Sequence, residues 1–208
     1  MGKLPESVIE RLSAYRRLLE GAALDLPRTI FSHELGSMAG ATAAQVRRDL
    51  MTIGVGGNPA RGYEIERLLG RIGEILDPHP ADAVVLVGTG QIGRALLAYF
   101  ARRRPDIRFV AAFDRAPELV GRILHGCPVH AAKDMEGILR ELRPRAGVVA
   151  VPRDAAQDVA EHLVGAGVRG ILNFAPVRLR VPEGVYVEDV DIATSVEKVL
   201  FFARLSAT

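Results

Sequence analysis

The stretch Ala83-Val84-Val85-Leu86-Val87-Gly88-Thr89-Gly90-Gln91-Ile92-Gly93-Arg94-Ala95-Leu96-Leu97-Ala98-Tyr99-Phe100 reads as a strand, a tight turn and a helix in succession. Three glycines at this spacing have three separate uses. Gly88 lets the chain turn, Gly90 lets the backbone approach a pyrophosphate, and Gly93 lets the helix pack closely on the strand. With Thr89, Gln91 and Ile92 between them, they place phosphates at a helix N-terminus, where free N–H groups and the dipole favour negative charge. A second apolar run, Arg108-Phe109-Val110-Ala111-Ala112-Phe113, ends in Asp114, 21 residues beyond Gly93. A carboxylate there accepts from both adenosine ribose hydroxyls and repels a 2′-phosphate, which selects NAD(H) over NADP(H). Arg115, next in sequence, softens that preference. The competing reading is a glycine turn with no ligand.

Downstream, apolar runs alternate with helical stretches. Gly147-Val148-Val149-Ala150-Val151-Pro152 and Gly170-Ile171-Leu172-Asn173-Phe174-Ala175-Pro176 read as strands, with a helix over 155–164 between them and a short strand over 185–190. Alternation of this kind predicts a doubly wound parallel sheet, a Rossmann α/β fold. Ligands of such sheets bind at the carboxyl ends of the strands, which puts Gly90, Asp114, Val151-Pro152 and Asn173-Phe174 on one rim. A last helix starts near Asp191. Its apolar stripe, Ile192, Val196, Val199, Leu200 and Ala203, must pack on its own sheet or on a partner chain.

The residues in front of Ala83 read differently. Pro5 suits a helix start, and Val8, Leu12, Tyr15 and Leu19 form an apolar face at helical spacing. Ser32 is a candidate N-cap for a second helix, with Glu34 and Leu35 in its first turn. Gly40 is a turn. Thr42 caps a third helix, with Gln45 at the capping-box position. Short helix, glycine turn and capped helix with paired arginines make a helix-turn-helix pattern. Ala43, Ala44, Gln45, Arg47 and Arg48 lie in the first turns of the reading helix. Gln suits adenine edges, and Arg suits guanine edges or phosphates. The turn-rich run over 54–63 suits a β-hairpin wing carrying Arg61. The alternative is a small helical cap with a solvated basic face. Asp77-Pro78-His79-Pro80-Ala81-Asp82 reads as the linker.

The chain has 208 residues, 49% of them apolar, enough for a sizeable core. It holds no apolar run of membrane-spanning length, and its start lacks the layout of a signal peptide. A single cysteine excludes an internal disulfide and fits a reducing cytoplasm. Net charge is only +2, but arginines crowd the first 80 residues. His125, Cys127 and His130 lack the spacing of a metal site. The strand ends facing a nicotinamide carry no His or Lys, so they bind and sense the ring without shuttling a proton. A sensor is therefore expected, against the rival of a small oxidoreductase whose N-terminal helices only dimerise.

These residues resemble the Rex family of redox-sensing transcriptional repressors. The resemblance rests on Gln45-Val46-Arg47-Arg48-Asp49-Leu50, the Gly88–Leu97 fingerprint, Ala111-Ala112-Phe113-Asp114, Val151-Pro152 with Ala155-Ala156-Gln157, and the long run Gly170–Leu179. It implies a homodimer of an N-terminal winged helix (1–80), a Rossmann domain for NADH and NAD⁺ (81–190) and a domain-swapped C-terminal helix (191–208). It implies binding to double-stranded operator DNA and release when NADH binds. It further implies that Tyr99 senses the nicotinamide end, and that Arg17 pairs with Asp191 of the other subunit. The runs Met51-Thr52-Ile53 and Asn58-Pro59-Ala60-Arg61-Gly62-Tyr63 depart from the family's usual Ser-Tyr-Phe and its wing.

Overall fold

The computed structural model describes residues 4–21, 27–79 and 82–205. The chain forms two compact units, one ending at Asp77 and the other beginning at Pro78. Pro80 and Ala81 of the expected linker, with the expected boundary between them, lie outside the described residues.

The first unit runs α1 (Glu6–Gly21), β1 (Thr29–Ile30), α2 (Ser32–Ala39), α3 (Ala43–Thr52), β2 (Tyr63–Glu64) and α4 (Ile65–Leu76). Pro5 opens α1, its carbonyl accepting from the N–H groups of Val8 and Ile9. Leu12, Tyr15 and Leu19 of α1 meet Leu35, Val46, Leu50, Leu68 and Ile72 in one buried core. Thr42 caps α3 as expected, its hydroxyl accepting from the Gln45 N–H at 3.1 Å.

Two local expectations are corrected. The residue capping α2 is Phe31, in extended conformation, with Ser32 already helical. The Glu34 carboxylate takes the Phe31 N–H at 2.7 Å, and the Ser32 hydroxyl instead accepts from Arg47. The Gln45 side chain does not reach back to close a capping box; it bonds Asp49 one turn on. Beyond α3 the chain forms the wing. Asn58 and Gly62 bridge across the loop Pro59-Ala60-Arg61. Gly62 sits at φ +75°, the left-handed residue that closes a hairpin loop of this length. Arg61 is thereby held at the wing tip, where the Asn58 side chain accepts from its N–H.

The second unit runs β3 (Ala83–Val87), α5 (Gln91–Arg103), β4 (Arg108–Asp114), β5 (Ile123–Leu124), β6 (Cys127–Ala131), α6 (Met135–Leu142), β7 (Ala146–Val149), α7 (Arg153–Gly165), β8 (Gly170–Asn173), β9 (Tyr186–Asp189) and α8 (Ile192–Leu205). The sheet order is β5-β6-β4-β3-β7-β8-β9. From β6 to β9 every pairing is parallel; only β5 is antiparallel. Strands are added outward from β3 in both directions, so the winding reverses between β3 and β7. A crevice opens at such a reversal. Helices cover both faces, and successive residues of β3 go to opposite cores: Val85 and Val87 to one, Leu86 to the other. This is why the strand reads as an unbroken apolar run.

The hairpin β5–β6 and helix α6 were not expected from the sequence. Cys127 and His130 lie on β6, and His125 holds the left-handed turn between the strands at φ +50°. Burial pushes the Cys127 thiol up to about 11, so it stays protonated. Strands β7 and β8 stop at Val149 and Asn173, earlier than expected, and Val151, Pro152 and Phe174 follow as loop residues. No residue of α8 is buried. Its apolar stripe therefore does not pack on its own sheet: Val199 is 68% exposed and Leu200 52%. None of the described helices is long and apolar enough to cross a membrane.

Candidate functional site

The fingerprint turn is built from close contacts. Gly88 sits at φ +96°, and a Cβ there would lie 2.4 Å from the Ala150 carbonyl oxygen. A Cβ on Gly93 would lie 2.0 Å from the Gly88 oxygen. Neither position admits a side chain. Gly90 differs: nothing lies within 4 Å of its Cβ position. The open side of the turn is at Gly90, and no side chain caps the N-terminus of α5. Uncapped N–H groups facing open space suit a pyrophosphate.

Asp114, at the end of β4, is tied to this turn. One carboxylate oxygen accepts from both the N–H and the hydroxyl of Thr89, and the other accepts from the Ala116 N–H at 2.9 Å. Partial burial pushes the carboxyl up. The hydrogen bonds from Thr89, Ala116 and Arg115 outweigh it and hold the group below the usual carboxylate range. Asp114 is ionised at neutral pH and retains free acceptor capacity for ribose hydroxyls.

A cavity of ≈ 650 Å³ opens beside the turn. Of the residues singled out in the sequence it brings together Gly88, Gly90, Asp114, Arg115, Val151 and Pro152. Thr89 is fully buried beneath Asp114, Gly93 is buried in the helix contact, and Gln91 and Ile92 are exposed at the head of α5. Asn173 does not line the cavity. Both its amide hydrogens are used, on the Val177 carbonyl and the Asp189 carboxylate, and its oxygen accepts from the Ala175 N–H. Phe174 packs against the core under α5. Tyr99 is 57% exposed on α5, so it is not a core residue. Lys133 and His162 also line the cavity; no pattern in the sequence pointed to them, because β6 and α7 bring them there.

On the first unit, α3 buries Val46, Asp49 and Leu50 and exposes Ala44, Arg47 and Arg48. Asp49 is 1% exposed and accepts four hydrogen bonds. Arg11 donates from Nε at 2.7 Å and Nη2 at 2.8 Å, the Tyr15 hydroxyl at 2.8 Å and the Gln45 amide at 2.9 Å. The cluster fastens α3 to α1. The Gln45 amide expected to read adenine is engaged inside the protein instead. Arg16, largely buried, pairs with Asp77 at 2.6 Å. Arg17 beside it is exposed. On the second unit Asp191 caps α8, accepting from the N–H and hydroxyl of Thr194; those bonds hold its carboxyl low.

Two family models match the chain: "Putative DNA-binding protein N-terminus" over residues 3–50 and the CoA binding domain over residues 80–177. A redox-sensing transcriptional repressor Rex from Carboxydothermus hydrogenoformans is 39% identical over 202 residues, covering 97% of each chain. One from Lactobacillus gasseri is 36% identical over 200 residues, covering 96% of this chain and 94% of that protein. The chain belongs to the Rex family of redox-sensing transcriptional repressors. Among solved structures, the Rex-family repressor RSP matches with a TM-score of 0.89 at 29% identity, covering 100% of this chain and 98% of that one. RSP has also been solved with β-NADH, and with β-NAD⁺ and operator DNA. Membership removes the ground for the rival reading: the full-length relatives are repressors, not oxidoreductases.

Proposed function

We propose that this chain is a cytoplasmic repressor that binds operator DNA as a homodimer and leaves it when NADH enters the cavity beside Gly90. What carries the reading is the presence, in one chain, of an exposed Arg47–Arg48 helix and a glycine cradle beside an ionised Asp114, whose cavity walls at Val151 and Pro152 are apolar. NAD⁺ bears a positive charge on its ring and NADH does not. Burying that charge among apolar groups costs free energy, so NADH binds more tightly. The test is a titration of the full-length protein on a duplex that it enriches from a random library, with and without NADH. Release at micromolar NADH supports the reading; NADH-indifferent binding refutes it.

Arg47, Arg48 and Arg61 are the cations offered to DNA. Arg47→Ala is expected to cost about 1–3 kcal/mol of operator affinity if it makes a bidentate guanine contact. A phosphate contact would weaken all duplexes evenly and lower the salt slope instead. Asp114→Ala is expected to weaken NADH binding and to narrow its advantage over NADPH, since the substitution removes both the ribose acceptor and the anchor of Thr89. Equal affinity of the native protein for NADH and NADPH would overturn this role for Asp114.

The exposed face of α8 is the dimer contact in this reading. Deleting residues 192–208 is expected to give a monomer by sedimentation and to abolish NADH-controlled release. Asp191 then exchanges partners between the two states, Arg17 in one and Tyr99 in the other. Asp191→Asn is expected to leave nucleotide binding intact and to uncouple it from DNA release.

A further inference from the structure

The exposed face of α3 has an apolar line along its middle. At 3.6 residues per turn, residues seven apart are nearly in line, so Met51 stands almost directly below Ala44. Val46, Asp49 and Leu50 occupy the opposite, buried side. Arg47 and Arg48 flank the line on its two sides, and both are exposed. Met51 is 72% exposed, the highest value among the large hydrophobic residues described. Gln45 lies outside this face, toward Asp49. A carboxylate only accepts hydrogen bonds, so the NH₂ group of Gln45 is the end turned to Asp49. The side chain is held away from the centre of the face.

We infer that Ala44 and Met51 read the C5-methyl groups of thymine in the major groove, and that Gln45 positions α3 without reading a base. The inference rests on the DNA-binding reading above. Thymine is the base that offers an apolar group in that groove. An exposed thioether and an exposed methyl in line between two guanidinium groups match a thymine flanked by phosphates or guanines. The flexible, polarisable thioether follows a methyl group closely.

The test uses the full-length protein and the duplex it enriches from a random library. Each thymine is replaced in turn by deoxyuridine, which removes the methyl and nothing else. At one or two thymines per half-site the replacement is expected to weaken native binding about fourfold, the equivalent of one buried methyl group. Met51→Ala should bind the thymine duplex more weakly and lose the thymine–uracil difference at one of those positions. Met51→Leu should keep it. Gln45→Ala should lower affinity for all duplexes without changing the preferred base at any position. The inference is overturned if no thymine shows a uracil effect, if Met51→Ala retains every such effect, or if Gln45→Ala changes base preference. Failure to enrich any duplex would overturn the DNA-binding reading itself, which separates the two failures.

Discussion

Asp49→Ala is expected to destabilise the first unit by about 1–3 kcal/mol, chiefly the cost of leaving the buried Tyr15 hydroxyl without its acceptor, since Arg11 is part-exposed. The substitution strips Arg11 and the buried Tyr15 hydroxyl of their shared acceptor. That is a large fraction of the roughly 5–15 kcal/mol by which a domain is stable. The chain contains no tryptophan, so urea unfolding is best followed by helical circular dichroism. A loss below about 1 kcal/mol, the worth of a single exposed pair, would show that the cluster does not fasten α3. The pH dependence has a definite sign. Burial pushes the Asp49 carboxyl up, but the hydrogen bonds from Arg11, Gln45 and Tyr15 and the charge of Arg11 more than offset it, and the folded pKa is lowered. The contribution is complete above the ordinary carboxylate value of about 3.9 and is lost as pH falls through the lowered folded value. The native protein should therefore show a steeper acid limb than Asp49→Ala.

Gly93→Ala is expected to abolish detectable NADH binding, a loss of at least about 100-fold, and to destabilise the second unit by about 1–3 kcal/mol through overpacking. The added Cβ meets the Gly88 oxygen at 2.0 Å and Leu86 at 3.2 Å. Helix α5 must back away from β3, or the Gly88 peptide must move; either displaces the N–H groups offered to phosphate. Gly90→Ala is the control. Its Cβ enters open space, so the melting temperature should hold while nucleotide binding falls. Calorimetric titration with NADH beside thermal melts separates the two. Normal NADH binding by Gly93→Ala would refute the cradle.

The second unit was legible because its central strands β3, β4 and β7 are buried on both faces and its turn glycines have distinct steric duties. Such features leave runs such as Ala83–Gly93 that admit few other readings. The hairpin β5–β6 was not legible: β5 is two residues long, and His125 turns the chain with a left-handed conformation uncommon outside glycine. In the first unit, Thr42 signalled its helix by local chemistry alone. Ser32 misled by the same chemistry, because Glu34 reached the backbone first. The Asp49 cluster joins residues 38 and 34 positions apart, and no pattern within one helix announces such pairs. The commitment of Asn173 was hidden differently: its side chain is held by Val177, four positions on in a loop, and by Asp189 on the neighbouring strand, and is not turned to the cavity.

Helix α8 has 14 residues and none is buried. A helix of that length, without support, is only marginally ordered in water. With α8 as the proposed dimer contact, its order is expected to follow concentration. In a dilute solution of single chains the two units keep their structure while this segment frays, offering trypsin Lys198 and Arg204; as chains are concentrated, helix content should rise with no change in either core. On that proposal, the amount of this protein in a cell sets how much of it is fully folded.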